Sequence, residues 1–410
     1  MKGQMDTSLQ HENLPFSKLP RVPAGPGFDM LAQVRVVDLT TSVAGPYATM
    51  LLSDFGADII KVERKAGDDA RQWGPPFLEG EALWFTAMNR NKRSVVLDIE
   101  AQADRAALMA LVRDADVVVT NQPPSVQRKL GLDYESLKAE RADLIFVSIT
   151  GFGLTGERAD LTCYDLIAEG HSGIMDITGA PGGDPQKIGA PAADMLAGQD
   201  AAMATMAALV GRMRHGRGCL IDVSLVESMT RFLSCRISSY MGSGEVPQRS
   251  GGTDSVIAIY QAFETADLPI TLGLGSDAIW SRFWAALGDP DFAANPDYRS
   301  NSARRNHRAT IVARIANILK GRTRAEWLAL FGKARVPAGP INRVDEVVAD
   351  RALHDRGLFF TLVSEDGRQV PQIGLGIQID GKTSTPRALP PLLGQHSREI
   401  VAVPAPSDIA

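Results

Sequence analysis

Val36-Val37-Asp38-Leu39-Thr40-Thr41-Ser42-Val43-Ala44-Gly45-Pro46, continued by a helical pattern to Phe55 and then by Gly56-Ala57-Asp58-Ile59-Ile60-Lys61-Val62-Glu63, reads as one βαβ unit. Residues 34–39 form an apolar run of strand length. Pro46 suits the first turn of a helix, where a backbone N–H has no intrahelical acceptor to lose, and Gly56 suits the position just past its end. Residues 59–62 then begin a parallel neighbour. The loop 40–45 falls between the carboxyl end of a strand and the amino end of a helix, where unpaired N–H groups can meet a phosphate or carboxylate. No G-x-G-x-x-G occurs at this turn, so the nicotinamide and flavin fingerprint is absent.

Outward from that unit, strand-like runs recur at 94–97, 116–119 and 144–148, with helical patterns at 103–113 and 134–138 between them. This alternation predicts an α/β fold with a mostly parallel sheet and helices on its faces. A helix is expected over 194–212, a strand over 219–223, and a further helix from 225 into Tyr240. The stretch 241–252 holds four glycines and a proline and reads as a loop or hinge. Beyond it, strands are expected at 257–263 and 269–274 and helices at 279–287, 309–319 and 324–333. There are no internal repeats. The expected divisions are an N-terminal flexible arm over 1–28, a first part of a large domain over 29–225, a linker helix and glycine-rich loop over 226–252, a smaller α+β domain over 253–335 and a return segment over 336–410.

With 410 residues the chain exceeds the size at which one core usually stops growing, so two domains are expected. A charged fraction of 22% and a net charge of −5 describe an ordinary globular protein rather than a disordered or nucleic-acid-binding one. The cluster Arg304-Arg305-Asn306-His307-Arg308 reads as a solvated helix face. Cys163, Cys219 and Cys235 form neither a disulfide framework nor a zinc motif, and six scattered histidines give no metal spacing. The expected home is a reducing cytoplasm. No apolar stretch is long enough for a membrane span or a secretion signal.

The opening block, followed by Asn89-Arg90-Asn91-Lys92-Arg93-Ser94, Gly151-Phe152-Gly153, Tyr164-Asp165, Asp194, Gly216-Arg217-Gly218 with Ile221-Asp222-Val223-Ser224, Tyr260-Gln261-Ala262-Phe263 and Val336-Pro337-Ala338-Gly339-Pro340-Ile341-Asn342, resembles the family III CoA-transferases. That CaiB/BaiF-like group includes formyl-CoA transferase, carnitine and bile-acid CoA-transferases and, as divergent members, α-methylacyl-CoA racemases. The ordered set spans about positions 34–400 and is specific as a set, not motif by motif. The resemblance implies a Rossmann-like large domain built from both terminal portions, a smaller domain between them, and two ring-like chains interlocked as a homodimer. It implies acyl-CoA donors and carboxylic acid acceptors as substrates, with no tightly bound cofactor.

By its residues alone, Asp194 in Gly189-Ala190-Pro191-Ala192-Ala193-Asp194-Met195 reads as a helix N-cap. The resemblance makes it the nucleophilic aspartate, which passes through an acyl anhydride and an aspartyl-CoA thioester. The two roles are compatible, because a helix N-terminus also favours an ionised carboxylate. Tyr164 stands where the racemases place a histidine, and an unperturbed tyrosine, with a pKa of about 10, is too weak a base for α-proton exchange near neutral pH. A half-buried aromatic is the plain structural alternative for Tyr164. Asp165 reads as a positioning residue, a salt-bridge partner or a cap. Backbone N–H groups at Val43 and Ala44, or in the glycine-rich loop with Gly251 and Gly252, are the oxyanion candidates.

For CoA the resemblance marks Val43, Ala44, Arg64, Leu97, Asn121, Lys129 and Leu130, of which any single Arg or Lys could equally be a solvated charge. Glu100 and Thr162 replace lysines of formyl-CoA transferase and Val43 replaces its glutamine, which argues against formyl and oxalyl as the natural pair. The glycine-rich loop also departs from that enzyme's four-glycine run. One rival is a CoA-ester racemase, for which His171 is the nearby replacement base. The other is a CoA-binding protein without turnover.

Overall fold

The computed structural model describes residues 14–401, and these divide into two compact units. The first runs to Ile174 and adds Lys187–Gly242 and the chain from Asp350 onward; the second combines Met175–Gln186 with Ser243–Ala349.

Six parallel strands form the sheet of the first unit: β1 (Arg35–Asp38), β2 (Asp58–Glu63), β3 (Lys92–Val96), β4 (Val117–Thr120), β5 (Ile145–Thr150) and β6 (Cys219–Ser224). Their spatial order is β3-β2-β1-β4-β5-β6. The connecting helices are α1 (Ala44–Asp54), α2 (Gln102–Asp114), α3 (Pro124–Leu130), α4 (Asp165–Ser172) and α5 (Ala192–His215), and α6 (Leu225–Phe232) and α7 (Ser234–Ser243) follow β6. Val117, Val118, Val119, Ile145, Phe146 and Val147 are all buried, as expected of central strands covered on both faces. This is the doubly wound, Rossmann-like arrangement that the βαβ reading implies. The order reverses between β1 and β4, the switch point at whose carboxyl edge such sheets bind ligands.

Three corrections concern the first unit. Strand β3 begins at Lys92 rather than at 94, because the Lys92 ammonium is buried against Asp38, a placement that hydropathy argues against. The helix expected to run unbroken from 225 to 240 is two, α6 and α7. The expected arm over 1–28 is ordered from residue 14: a short helical turn, Pro15–Lys18, leads into the strand Arg21–Pro23, which pairs in parallel with Phe359–Val363. Residues 1–13 of that arm lie outside the described residues.

The return segment is anchored on the first βαβ unit. Phe359–Val363 pairs with Gln369–Ile373, and the Arg90 guanidinium reaches from Asp54 (2.5 and 2.9 Å) to the Ile373 carbonyl (2.8 Å). Arg387 closes the carbonyls of Gly56 (2.6 Å) and Ala57 (2.7 Å) at the end of α1.

In the second unit a three-stranded antiparallel sheet, Tyr260–Phe263, Ile270–Gly273 and Ala338–Pro340, packs with the helices Asp277–Ala286, Arg308–Leu319 and Arg324–Ala334 around Trp280, Phe283, Trp284 and Phe331. The pairing of Ala338–Pro340 keeps the chain in this unit past 335, so the return begins at Asp350. Arg304 is not on a solvated face. It is 3% exposed, lies 4.6 Å over the Trp280 ring and pairs with Asp277 at 2.7 Å.

Arg90 and Asp54 are both buried, so Arg90→Met leaves a carboxylate without its guanidinium. Denaturant unfolding should show a loss of about 3–5 kcal/mol, and Arg90→Met with Asp54→Asn should cost less than the sum of the two singles. An additive pair would show that the two buried charges do not stabilise each other.

Candidate active site

The loop after β1 is fixed by buried charges. Asp38 Oδ1 accepts the Thr40 N–H (2.9 Å) and hydroxyl (2.5 Å), and its Oδ2 accepts from Thr49 (2.7 Å) and the Lys92 ammonium (3.0 Å). Lys61 donates to the Thr40 carbonyl at 2.8 Å and pairs with Asp68 at 2.8 Å. Asp68 in turn accepts the Ser42 N–H at 2.9 Å, which holds Ser42 in a left-handed conformation at φ 73°. Asn121, just after β4, takes both polar groups of Thr41: its amide donates to the carbonyl (2.8 Å) and its Oδ1 accepts the N–H (3.1 Å). Gly45 is required here, since a Cβ on it would stand 2.3 Å from the Thr40 Cβ. The first turn of α1 therefore rests on Thr40, and the N–H groups of Ala44 and Gly45 have no intrahelical acceptor.

Five of the positions expected to meet CoA fall on this edge in sheet order. Leu97 follows β3, Arg64 follows β2, Val43 and Ala44 follow β1, and Asn121 follows β4. Their local environments differ from one to the next. Leu97, Val43 and Ala44 are buried, so Val43 and Ala44 can offer only backbone. Asn121 is committed to Thr41 and positions the loop. Arg64 is exposed and ion-paired with Asp69. Lys129 and Leu130 close α3; Lys129 is exposed, whereas Leu130 packs on the core around Leu108. Glu100 and Thr162 are both exposed.

Helix α5 brings Asp194 toward the same loop. Its buried residues Ala193, Ala197, Gly198, Ala201 and Ala202 are small, and a Cβ on Gly198 would lie 2.5 Å from the Ala44 carbonyl oxygen. Asp194 lies one turn before Gly198, in the first turn of α5, and does not cap the helix itself. The cap comes from α4: Asp165 Oδ1 accepts the N–H groups of Ala193 (2.8 Å) and Asp194 (3.3 Å). The Asp194 carboxyl is pushed up to about 7, first by burial and then by the Asp165 charge. The expectation that a helix N-terminus keeps it ionised is corrected: Asp165 already occupies that N-terminus with a like charge. The neighbouring Cys163 thiol is pushed up to about 11 by burial and then by Asp194, so it is not an activated nucleophile.

Tyr164 is 61% exposed rather than half-buried, and its carbonyl accepts from Ile167 and Ala168 at the start of α4. His171 lies in the last turn of α4, edge-on to Phe152 with ring centroids 5.0 Å apart, almost two turns from Asp165. It does not stand in for a base at Tyr164. Gly251 and Gly252 belong to the second unit, where the Gly251 N–H donates to Gly179 at 2.8 Å. Among the described residues no cluster of His, Cys, Asp or Glu could hold a metal ion, and no helix is long and apolar enough to cross a membrane.

Sequence reasoning missed Lys61 and Asp68, whose burial no hydropathy pattern signals, and Glu169, which is fully buried on α4. Gly198 was legible in principle: it lies one helical turn after Asp194 in a run of small residues.

Because burial and a like charge both penalise the anion, Asp194 ionises only as pH rises through about 7. In Asp165→Asn the side-chain oxygen still caps α5 while the charge is gone, so the midpoint should fall toward the ordinary 3.8. Carbon-13 NMR of aspartate-labelled protein measures both midpoints, and an unmoved midpoint would show that Asp165 does not act on Asp194.

The profile of CoA-transferase family III matches residues 31–397. Succinate–glutarate CoA-transferase of Agrobacterium fabrum is 38% identical over 379 residues, covering 91% of this chain and 95% of that one. Succinyl-CoA:mesaconate CoA-transferase of Haloarcula hispanica is 35% identical, covering 90% and 95%. The crystal structure of a CaiB/BaiF family protein from Brucella suis superposes with a TM-score of 0.79 at 38% identity, covering 91% of this chain and 98% of that one. The chain belongs to CoA-transferase family III.

Proposed function

We propose that this CoA-transferase carries CoA from an acyl-CoA thioester to a free carboxylate through covalent intermediates on Asp194, and that its acids are short dicarboxylates. The observation that carries the reading is the half-buried Asp194 carboxyl: Asp165 holds its backbone, and no cation acts on it among the described residues. The Asp194 carboxylate attacks the thioester carbonyl, the C–S bond breaks, and CoA thiolate leaves a mixed anhydride. Thiolate then attacks the aspartyl carbonyl, which releases the donor acid and forms aspartyl-CoA. The acceptor carboxylate attacks that thioester, re-forming an anhydride, and thiolate finally takes the new acyl group. Charge balances over the cycle with no net proton and no resident cofactor. The N–H groups of Ala44 and Gly45 are the donors we assign to the developing oxyanions, each worth on the order of 2.7–4 kcal/mol.

The choice of dicarboxylates rests on relatives named for succinate, glutarate and mesaconate. CoA is assigned to the edge from Leu97 to Asn121, with Arg64 and Lys129 for its phosphates. The unpaired Cys163, Cys219 and Cys235 fit a reducing cytoplasm.

We further propose the interlocked homodimer. Met203, Val210 and Met213 on α5 and Phe232, Tyr240 and Met241 on α6 and α7 are 47–86% exposed in the single chain, apolar side chains that a partner chain would cover. Light scattering at micromolar concentration should give twice the mass of one chain; a single-chain mass sinks this part.

With succinyl-CoA alone, intact-mass spectrometry should find CoA added to the protein but not to Asp194→Ala. That variant should lose transfer by on the order of 10⁴-fold or more. A panel of mono- and dicarboxylic acids then reads the acceptor class. Transfer retained in Asp194→Ala overturns the mechanism, and a single deuterium gained by a branched ester in D2O, with no new thioester, would favour a racemase.

A further inference from the structure

Glu169 is fully buried on α4, one turn after Asp165 and on the same face. Its Oε2 accepts the Ile188 N–H at 2.9 Å, whereas its Oε1 is buried without a donor. The side chain of Asp165, another acceptor, lies within hydrogen-bonding reach of the Glu169 carboxyl. Asp165 is itself committed to the N–H groups of Ala193 and Asp194. Two carboxylates facing each other, Glu169 buried and Asp165 half-buried, have no bond to make between them; one proton supplies it.

We infer that Glu169 carries that proton and donates it to Asp165, so that it acts as a positioning residue: a neutral acid that fixes the Asp165 carboxylate on α5 and tempers the charge Asp194 feels. Burial followed by the Asp165 charge holds the Glu169 carboxyl above its ordinary value, in agreement. The other charges around it do not supply a proton. Lys187, the nearest cation, donates to the Ile188 carbonyl at 3.0 Å. From α5 come Asp194 and Asp200, and from α6 come Glu227 and Arg231, the last paired with Asp200; His171 ends the same helix as Glu169.

The test compares Glu169→Gln, which keeps a donor toward Asp165 and an acceptor for Ile188, with Glu169→Met, which fills the space and donates nothing. The pH–rate midpoint assigned to Asp194 should stay in place in Glu169→Gln and rise in Glu169→Met by about half a unit, roughly 3-fold in ionised Asp194. A downward shift in Glu169→Gln would mean that a negative charge had been removed and would overturn the proposal, as would equal midpoints in the two variants. This kinetic arm rests on Asp194 being the nucleophile. An infrared difference spectrum of the full chain, wild type minus Glu169→Gln near neutral pH, does not: it should show the carbonyl band of a protonated carboxyl lost with Glu169. An unchanged band overturns the proposal even if Asp194 is the nucleophile, and a lost band upholds it even if Asp194→Ala still transfers CoA.

Discussion

Thr40 is held between two buried ions of opposite sign, Asp38 from its own strand and Lys61 from the next, and the carboxyl edge of the sheet is placed relative to it. Removing charges from water is costly, and it is sustained here because each is met by several partners. Burial opposes ionisation of Asp38, yet Lys92, Lys61 and the hydroxyls of Thr40 and Thr49 hold its carboxyl well below the usual range. Burial alone would depress the Lys61 ammonium, but Asp68 and Asp38 outweigh it and hold it above its ordinary value. Lys92, whose one carboxylate hydrogen-bond partner is Asp38 and which the Lys61 charge opposes, is pushed by burial down to about 8. The product of this network is a backbone: residues 40–42 are held on both sides, so the first N–H groups of α1 stay at the switch point of the sheet.

Asp38 and Asp194 are two carboxyls near the same sheet edge driven in opposite directions. Asp38 has two ammonium groups and two hydroxyls, and its charge is structural. Asp194 has burial and a like-charged neighbour, so its charge is conditional. Environment separates the two carboxyls, and one poised near neutrality has the character expected of a reacting group.

The βαβ opening, the remaining strands of the sheet and the position of Asp194 were legible because period, length and turn residues are local signals. The motif resemblance supplied the function class, which composition could not. What escaped reading depends on contacts between distant residues. Lys92 sits inside a buried strand only because Asp38 is there to meet it. Ala338–Pro340 becomes a strand only by pairing with Ile270–Gly273. Arg304 looks solvated until Trp280 and Asp277 are folded against it. Asp194 looked like the cap of α5 because Asp165, the residue that caps it, is 29 positions away in the chain.

That the cap is borrowed bears on the chemistry. In the proposed route the Asp194 carboxyl alternates between anion, anhydride and thioester, so any group that favours the anion must be lost at each acylation. A cation about 4 Å away would stabilise the anion by about 4 kcal/mol at an effective dielectric of about 20. Losing that at every acylation would cost about three powers of ten in rate. Asp194 is positioned instead through its backbone N–H, which Asp165 holds equally well whether the side chain is ionised or acylated. Small residues on α5 then bring the helix against Ala44 without placing a cation beside Asp194. The fold thus fixes the position of Asp194 while leaving its charge free to change.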